Sequence, residues 1–361
     1  MTVENEKKMT VGVVFGGKSG EHEVSLNSAF HVIEAIDKEK YDVIMIAITK
    51  EGQWCQYSGE VANVRNNTWW QDEKNVNWDV GYMQPDGVME KIDIFFPVLH
   101  GPNGEDGTIQ GFFTIFNKPY VGCGVFASAV GMDKVAAKVL FEKAGIPVVP
   151  YISFYMEEWT AQKGKLIAEM EELLSYPIFI KPVNMGSSVG ISKVKTRREL
   201  EEAVENALLY DTKILAEQFI DGREIECAVL GNFHATASTP GEIIPSREFY
   251  DYESKYMDGD ASRVVIPAEI TKEQAELVRK YACEAFRAID GSGLCRADFF
   301  IDKANGNLYI NEVNTMPGFT EISMYPKMMM HDGCSYAELI EKLIELGLEK
   351  HEQYARKKTE R

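Results

Sequence analysis

No stretch of this 361-residue chain approaches the roughly 20 consecutive apolar residues that a membrane helix needs, and the opening MTVENEKKMT has no apolar segment of the signal-peptide kind. Both absences predict a soluble, cytoplasmic protein with no membrane partner. Positive charge is scarce as well: 38 Lys and Arg against 56 Asp and Glu give a formal net charge of −18, a balance that repels nucleic acid and anionic lipid. Any site for an anion must therefore build its own local positive field. The six cysteines (Cys55, Cys123, Cys227, Cys283, Cys295 and Cys334) contain no C-x-x-C pair, which excludes a disulfide framework and a cysteine zinc site and leaves them as buried or incidental thiols. His22-Glu23 does not open an H-E-x-x-H motif, because position 26 is Leu26. There is no internal repeat and no low-complexity tract. What is present is a 45% hydrophobic chain, long enough for two or three ordinary domains.

Three textures follow one another. Up to about residue 125, the apolar runs VGVVFGG, YDVIMIAITK and KIDIFFPVLHG alternate with the helical pattern VSLNSAFHVIEAI, which predicts a doubly wound parallel sheet. Within it, Gln53 to Glu90 is polar and Trp-rich and reads as an insertion packed on the outside. From Asp133-Lys134 the chain alternates a helix ended by Gly145, a helix around Lys163 to Leu174, the strand PIFIKP, a glycine-rich loop and a helix from Arg197 to Leu209, a small α+β unit with an antiparallel sheet. From about Glu224 come strands, the irregular EFYDYESKYMDGDASR, a helix from Thr271 to Ala288, the strand pair CRADFFID and NLYINEVN, and a helix from Tyr336 to Leu346 before a charged tail. The fold class is α/β and α+β, with expected domains 1–130, 131–222 and 223–361.

The run Gly12 to Ser19 formally satisfies G-x-x-x-x-G-K-[ST], but Val13, Val14 and Phe15 are themselves the strand, so a phosphate-binding loop is rejected. Gly16, Gly17 and Gly20 still end that strand before a helix, which makes a ligand crevice there. Glu21 beside it fits either a ligand ammonium or a helix start favoured by the dipole. Gly186-Ser187-Ser188-Val189-Gly190 lies between two strands and lets the backbone approach a polyphosphate, though a plain hairpin has the same composition. Lys181 ends an apolar strand, where a lysine is costly without an anionic partner. His100 ends the strand IFFPVLHG at a carboxyl edge, a place that suits a ligand contact and a core histidine equally.

In NLYINEVNTMPGF, Glu312 and Asn314 sit two residues apart and so share one strand face. Two rigid oxygen ligands suit Mg²⁺, which takes one or two carboxylates and fills its octahedron with water and phosphate. The preceding strand adds Arg296 and Asp298. A hairpin loop with an odd number of residues sets Asp298 opposite Glu312 and Arg296 opposite Asn314, whereas a two-residue Asn305-Gly306 turn scatters the four. The chemistry therefore predicts an odd loop or a bulge.

With Lys134 of GMDK, these features resemble the ATP-grasp fold. Along nearly its whole length the chain resembles the D-alanine–D-alanine ligases, in GGKSGEHEVSLNS, FPVLHGPNGEDGTIQG, GMDK, FIKPVNMGSSVGISKV, EFYDYESKY, RADFFID and NEVNTMPGFT with SMYP. The resemblance implies an enzyme of peptidoglycan synthesis that phosphorylates the carboxylate of one D-alanine with ATP and lets the amine of a second attack the acyl phosphate. It implies that Lys134 and Lys181 contact ATP phosphates under a lid carrying Ser187 and Ser188. Glu217, Gln218, Phe219 and Ile220 then line the adenine pocket, and Glu224 takes the ribose. Asp298, Glu312 and Asn314 hold two Mg²⁺ ions (Mn²⁺ being an alternative), while Arg296 and the Gly318 N–H form an oxyanion hole. Glu21, oriented by Ser187 and Tyr256, binds the first ammonium. His100 joins the substrate site, and Lys255 and Ser323 hold the second carboxylate. Lys255 also stands beside the nucleotide, and Glu248 to Tyr256 closes the site. A homodimer is implied too. Tyr256 favours a dipeptide over a depsipeptide product. Met324, where D-alanine–D-serine ligases of the vancomycin-resistance type carry arginine, favours D-alanine, although GQWCQYSGE…NNTWW resembles the D-serine enzymes. A nucleotide-binding scaffold that had lost catalysis should lack one of Asp298, Glu312, Asn314 or Arg296, and all four are present.

Overall fold

The computed structural model describes residues 8–81, 87–245 and 262–358. Among these residues three sheets form in succession. The first contains β1 (Met9–Gly16), β2 (Tyr41–Ile48), β3 (Trp54–Tyr57), β4 (Val76–Asn77) and β5 (Ile94–Val98), in the order β4-β3-β2-β1-β5. β1 runs parallel to β2 and β5, and the helix His22–Ala35 makes the crossover from β1 to β2. The unbroken apolar run explains this: Val11, Val13, Val14 and Phe15 are buried on both faces of the strand, as a central parallel strand requires. Gly12 lies inside β1, where a Cβ would come 2.7 Å from Ile92 Cδ1, so it is a packing glycine.

The segment expected to lie outside does not. β3 joins the first sheet antiparallel to β2, and β4 antiparallel to β3, and Tyr57 and Trp69 enter the core, with Trp69 edge-on to Phe15 at 6.4 Å. This segment covers what would otherwise be an open edge at β2. Of its tryptophans, Trp70 and Trp78 do lie on the outside, each about half exposed.

The second sheet holds β6 (Tyr151–Tyr155), β7 (Ile178–Pro182), β8 (Ser192–Val194) and β9 (Lys213–Gln218), antiparallel in the order β6-β9-β7-β8. Strand alternation divides its faces. Ile178, Ile180, Ile214 and Ala216 pack against the helices Met156–Leu173 and Arg197–Ala207, so the intervening Phe179, Lys181 and Glu217 look the other way. The chain's entry to this unit and its exit are neighbours: the Gln218 amide donates to Pro150 O at 2.9 Å.

The third sheet is β10 (Gly222–Gly231), β11 (Thr236–Ala237), β12 (Gly241–Pro245), β13 (Ser262–Val265), β14 (Gly293–Asp302) and β15 (Leu308–Asn314), ordered β13-β12-β10-β14-β15 with β11 on β10. Helix Lys272–Ala288, started by a Thr271/Gln274 capping box, covers it with Val278, Ala282, Ala285 and Phe286. The helix Lys134–Lys143 packs Ala137 and Phe141 into that same core, and Val148 bridges to Ile310 of β15. The helices Met324–His331 and Tyr336–Ala355 pack in a second core shared by the first sheet and the third, where Tyr325 Oη donates to Val229 O at 3.0 Å. The last helix outruns its expected end at Leu346 because Gly347 and Lys350 are also buried on its inner face.

Candidate active site

The open face of the second sheet, the β14–β15 hairpin and the carboxyl ends of β1 and β5 border one cleft of about 1440 Å³. Among the described residues, carboxylates outnumber cationic side chains along its wall. Positive charge is therefore concentrated at a few places rather than spread.

The hairpin supplies the first cluster. From the turn outward Ile301 pairs with Leu308, Phe300 with Tyr309 and Phe299 with Ile310, an even-numbered loop. That register alone would face Glu312 into the core beside Ala297. A bulge between Asp298 and Phe299, with Asn311 as the extra residue, resets it: Asp298 lies opposite Glu312 and Arg296 opposite Asn314. The four residues share the cleft face, by the bulge and not by an odd loop.

On that face Arg296 grips Asp298 with two hydrogen bonds, Nε to Oδ1 and Nη2 to Oδ2, each 2.7 Å, and its Nε lies 3.1 Å from Glu226. Burial opposes the Arg296 charge, but Asp298 and Glu226 outweigh it, so the guanidinium stays protonated. Asn314 Nδ2 donates to Asp298 at 2.9 Å. Among the described residues no group of three or more His, Cys, Asp or Glu side chains is arranged to hold a metal. The donor set is two carboxylates and an amide, which fits a hard cation that draws its other ligands from water and phosphate.

Lys134, opening its helix under an Asp133 cap, donates to Met185 O at 2.7 Å and lies 3.7 Å from Glu312. It thus ties the glycine-rich loop to the hairpin. Lys181 does have the anionic partner its position demanded: Nζ donates to Glu217 Oε2 at 2.5 Å. The second Glu217 oxygen pairs with Lys138, a residue not singled out from the sequence. Burial would raise the Glu217 carboxyl, but the two ammonium groups overcome it and hold the pKa down at about 2. Glu217 is therefore a buried counterion as well as a member of the expected adenine wall. Gln218 turns its amide to the Ser175 backbone, at 2.7 and 2.9 Å, while Phe219, Ile220 and Glu224 line the cleft.

Ser187 and Ser188 both adopt left-handed backbone, at φ 51° and 59°, a conformation that costs a non-glycine residue about 1–3 kcal/mol. This aims Ser187 Oγ across the cleft to donate to Glu21 Oε1. Glu21 shows no side-chain capping bond at its helix start, which favours the ligand-facing reading of that residue. Gly101 and Gly186 both crowd the same carboxylate: a Cβ on either would meet Glu21 Oε2, at 2.6 and 3.2 Å. His100 is 3% exposed, with Nε2 3.1 Å from Ser28 Oγ and Nδ1 3.1 Å from Met316 O and 3.4 Å from Glu105. It borders the cleft and is also a satisfied core histidine. Glu105 was not anticipated; burial raises its carboxyl to about 7 against the opposing pull of His100.

Gly318 and Ser323 line the cleft together, and Ser323 Oγ accepts the Thr320 amide at 3.1 Å. Met324, 7% exposed, sits between them and the core. Lys255, Tyr256 and the stretch Glu248 to Tyr256 lie outside the described residues.

Residues 10–123 match the family described as D-ala D-ala ligase N-terminus, and residues 140–345 the family described as D-ala D-ala ligase C-terminus. The D-alanine–D-alanine ligase of Ruminiclostridium cellulolyticum is 50% identical over 371 residues, 98% of each chain. That of Acetivibrio thermocellus is 49% identical, across 95% of this chain and 97% of the other. Among solved structures, the VanG D-Ala:D-Ser ligase from Enterococcus faecalis superposes with a TM-score of 0.85 at 40% identity, covering 94% of this chain and all of the other. The D-alanine–D-alanine ligase from Coxiella burnetii gives 0.84 at 32% identity, covering 97% of both.

Proposed function

The chain belongs to the D-alanine–D-alanine ligase family, and from that membership we propose how its cleft joins two D-alanines. The protein is an ATP-dependent ligase acting on small molecules, and its product is D-alanyl-D-alanine for peptidoglycan synthesis. A carboxylate is a poor electrophile, so ATP first converts one D-alanine to an acyl phosphate, and the amine of the second then displaces phosphate. ADP and phosphate leave. The protein's share is positioning, charge stabilisation and exclusion of water.

Glu21, held by Ser187, receives the first ammonium, with His100 walling that pocket and Tyr256 completing it. Lys134 and Lys181 meet the phosphates beneath Ser187 and Ser188. Phe219 and Ile220 flank the adenine with Glu217 and Gln218 beside them, and Glu224 takes the ribose hydroxyls. Asp298, Glu312 and Asn314 would hold Mg²⁺, which when bound neutralises phosphate charge. Arg296 and the Gly318 N–H face the oxygen that becomes negative as the amine attacks, and Ser323 with Lys255 holds the second carboxylate. We assign one domain to each sheet, at 1–130, 131–222 and 223–361, and a cytoplasmic homodimer as the working form. No helix among the described residues is long and apolar enough to cross a membrane.

The observation that supports this reading is the Ser187–Glu21 hydrogen bond, which links residues 166 apart and brings the Glu21 carboxylate against the glycine-rich loop. The test is ATP-dependent product formation with D-alanine alone, then with D-alanine competing against D-serine and D-lactate, resolved by mass spectrometry. D-Alanyl-D-alanine should dominate. Predominant D-alanyl-D-serine would reassign the chain to the activity named for its 40%-identical structural neighbour.

A further inference from the structure

Three charged side chains are buried where two would balance. Lys181 is 8% exposed, Glu217 2% and Lys138 1%, and both ammonium groups pair with the one carboxylate. Glu217 and Lys181 line the cleft, whereas Lys138 stands behind them, 5.7 Å from the centre of the Tyr151 ring. Burying an extra charge costs several kcal/mol, and a single lysine would already neutralise Glu217. Stability alone therefore does not account for Lys138.

We propose that Lys138 is a positioning residue for nucleotide phosphate: it neutralises Glu217 from behind, so that Lys181 presents an uncompensated positive charge to the cleft. The proposal rests on the reading of this cleft as the ATP site. Two cations and one anion leave one net positive charge at this wall, in a cleft that carboxylates otherwise dominate. The spacing suits the role, since Lys134 and Lys138 stand four apart on one helix face, the first toward Met185 and Glu312 and the second toward Glu217. Without Lys138, Lys181 and Glu217 form a neutral pair. At an effective dielectric of about 20, losing one unit charge several ångströms from a polyphosphate lowers its affinity at least about tenfold.

The experiment compares ADP with adenosine by calorimetry, because the two share base and ribose and differ only in phosphate. Lys138→Met should lower the ADP-to-adenosine affinity ratio about tenfold, mainly raising KM for ATP over lowering kcat. Lys138→Arg, which keeps the charge, should restore the ratio, and so should the pair Lys138→Met with Glu217→Gln, which removes one charge of each sign. Glu217→Gln alone should raise the ratio, and it reports even if Lys138→Met fails to fold. An unchanged ratio in Glu217→Gln, or equal loss of ADP and adenosine binding in folded Lys138→Met, overturns the proposal. A wild-type protein that binds ADP no better than adenosine sinks the nucleotide-site reading itself, a result distinct from either.

Discussion

Arg296 concentrates several demands on one side chain. It bridges both Asp298 oxygens, meets Glu226 and stands opposite Asn314, a geometry that requires a planar fork and not a point charge. Arg296→Lys should therefore keep the fold and ADP binding yet lower kcat by about 10²-fold, the scale seen when one donor to a developing oxyanion is lost. Steady-state kinetics beside ADP titration checks this, and near-normal kcat would remove Arg296 from the reacting centre. Arg296 and Asp298 stood out in the sequence because few residue types suit phosphate, magnesium or an oxyanion, and the fold brings both to the cleft wall. Lys138 was missed because one lysine among many carries no chemical flag. Its spacing of four from Lys134 was the available signal, and only the fold shows that it reaches Glu217 from behind the cleft wall.

At the scale of the element, the β14–β15 hairpin shows what a pattern can hide. The apolar positions Leu308, Ile310 and Val313 face the core, and the step of three from Ile310 to Val313 breaks the period of two. That break is the bulge, written in the sequence, while the Asn305-Gly306 cue pointed elsewhere. Asp302 instead organises the turn, accepting from Ala304 N and Asn305 Nδ2 at 2.8 Å each. Inserting one alanine between Glu312 and Val313 should turn Asn314 off the cleft face and abolish turnover, whereas Asn311→Ala should stay within about threefold of wild type, since it leaves the register intact. Product assays on the two variants decide it; an active insertion variant would show that the register does not place the site. Likewise, Trp69 was assigned to the surface because its neighbours are polar, and only the edge of β2 explains why it is buried.

For the whole molecule, Lys350 is buried in the otherwise apolar joint between the first sheet and the last helix. Its Nζ donates to Gly122 O at 2.6 Å and lies 3.8 Å from the centre of the Tyr120 ring, while Ser292 Oγ also donates to Gly122 O. Burial lowers its pKa from 10.5 to about 8. Between these values the unfolded chain holds a proton that the folded chain releases, so this group adds stability as pH rises through the window and withholds it below about 8. Lys350→Met should therefore be more stable than wild type at pH 7 by about 1–2 kcal/mol, after allowing for the lost hydrogen bond, and the gap should close toward pH 10.5. Urea midpoints measured across that range test it, and a gap independent of pH would mean the lysine is not titrating in the fold. The order of the three sheets was legible in the succession of textures; the mixing of their cores was not, because it depends on contacts between segments more than a hundred residues apart, such as Phe96 with Phe319.

The second sheet unit joins the rest of the chain covalently at two neighbouring crossings, which the Gln218 N–H and Pro150 O link across 2.9 Å, while Lys134–Met185, Lys138–Glu217, Lys213–Asp133 and Ser187–Glu21 contacts hold its cleft side. A panel hung on two adjacent pins keeps one easy rotation and loses the others. Once those side-chain latches release, the cleft can gape and shut along a single arc, with its lysine-bearing face as the swinging leaf and the hairpin as the frame. Spin labels placed on the two sides should give a broad spread of distances in the free protein and one short distance with nucleotide bound; an unchanged distribution would mean the leaf is fixed. Such a door admits its reactants only while it stands open, so the pace of its swing sets a ceiling on turnover that no improvement of the reacting groups can lift.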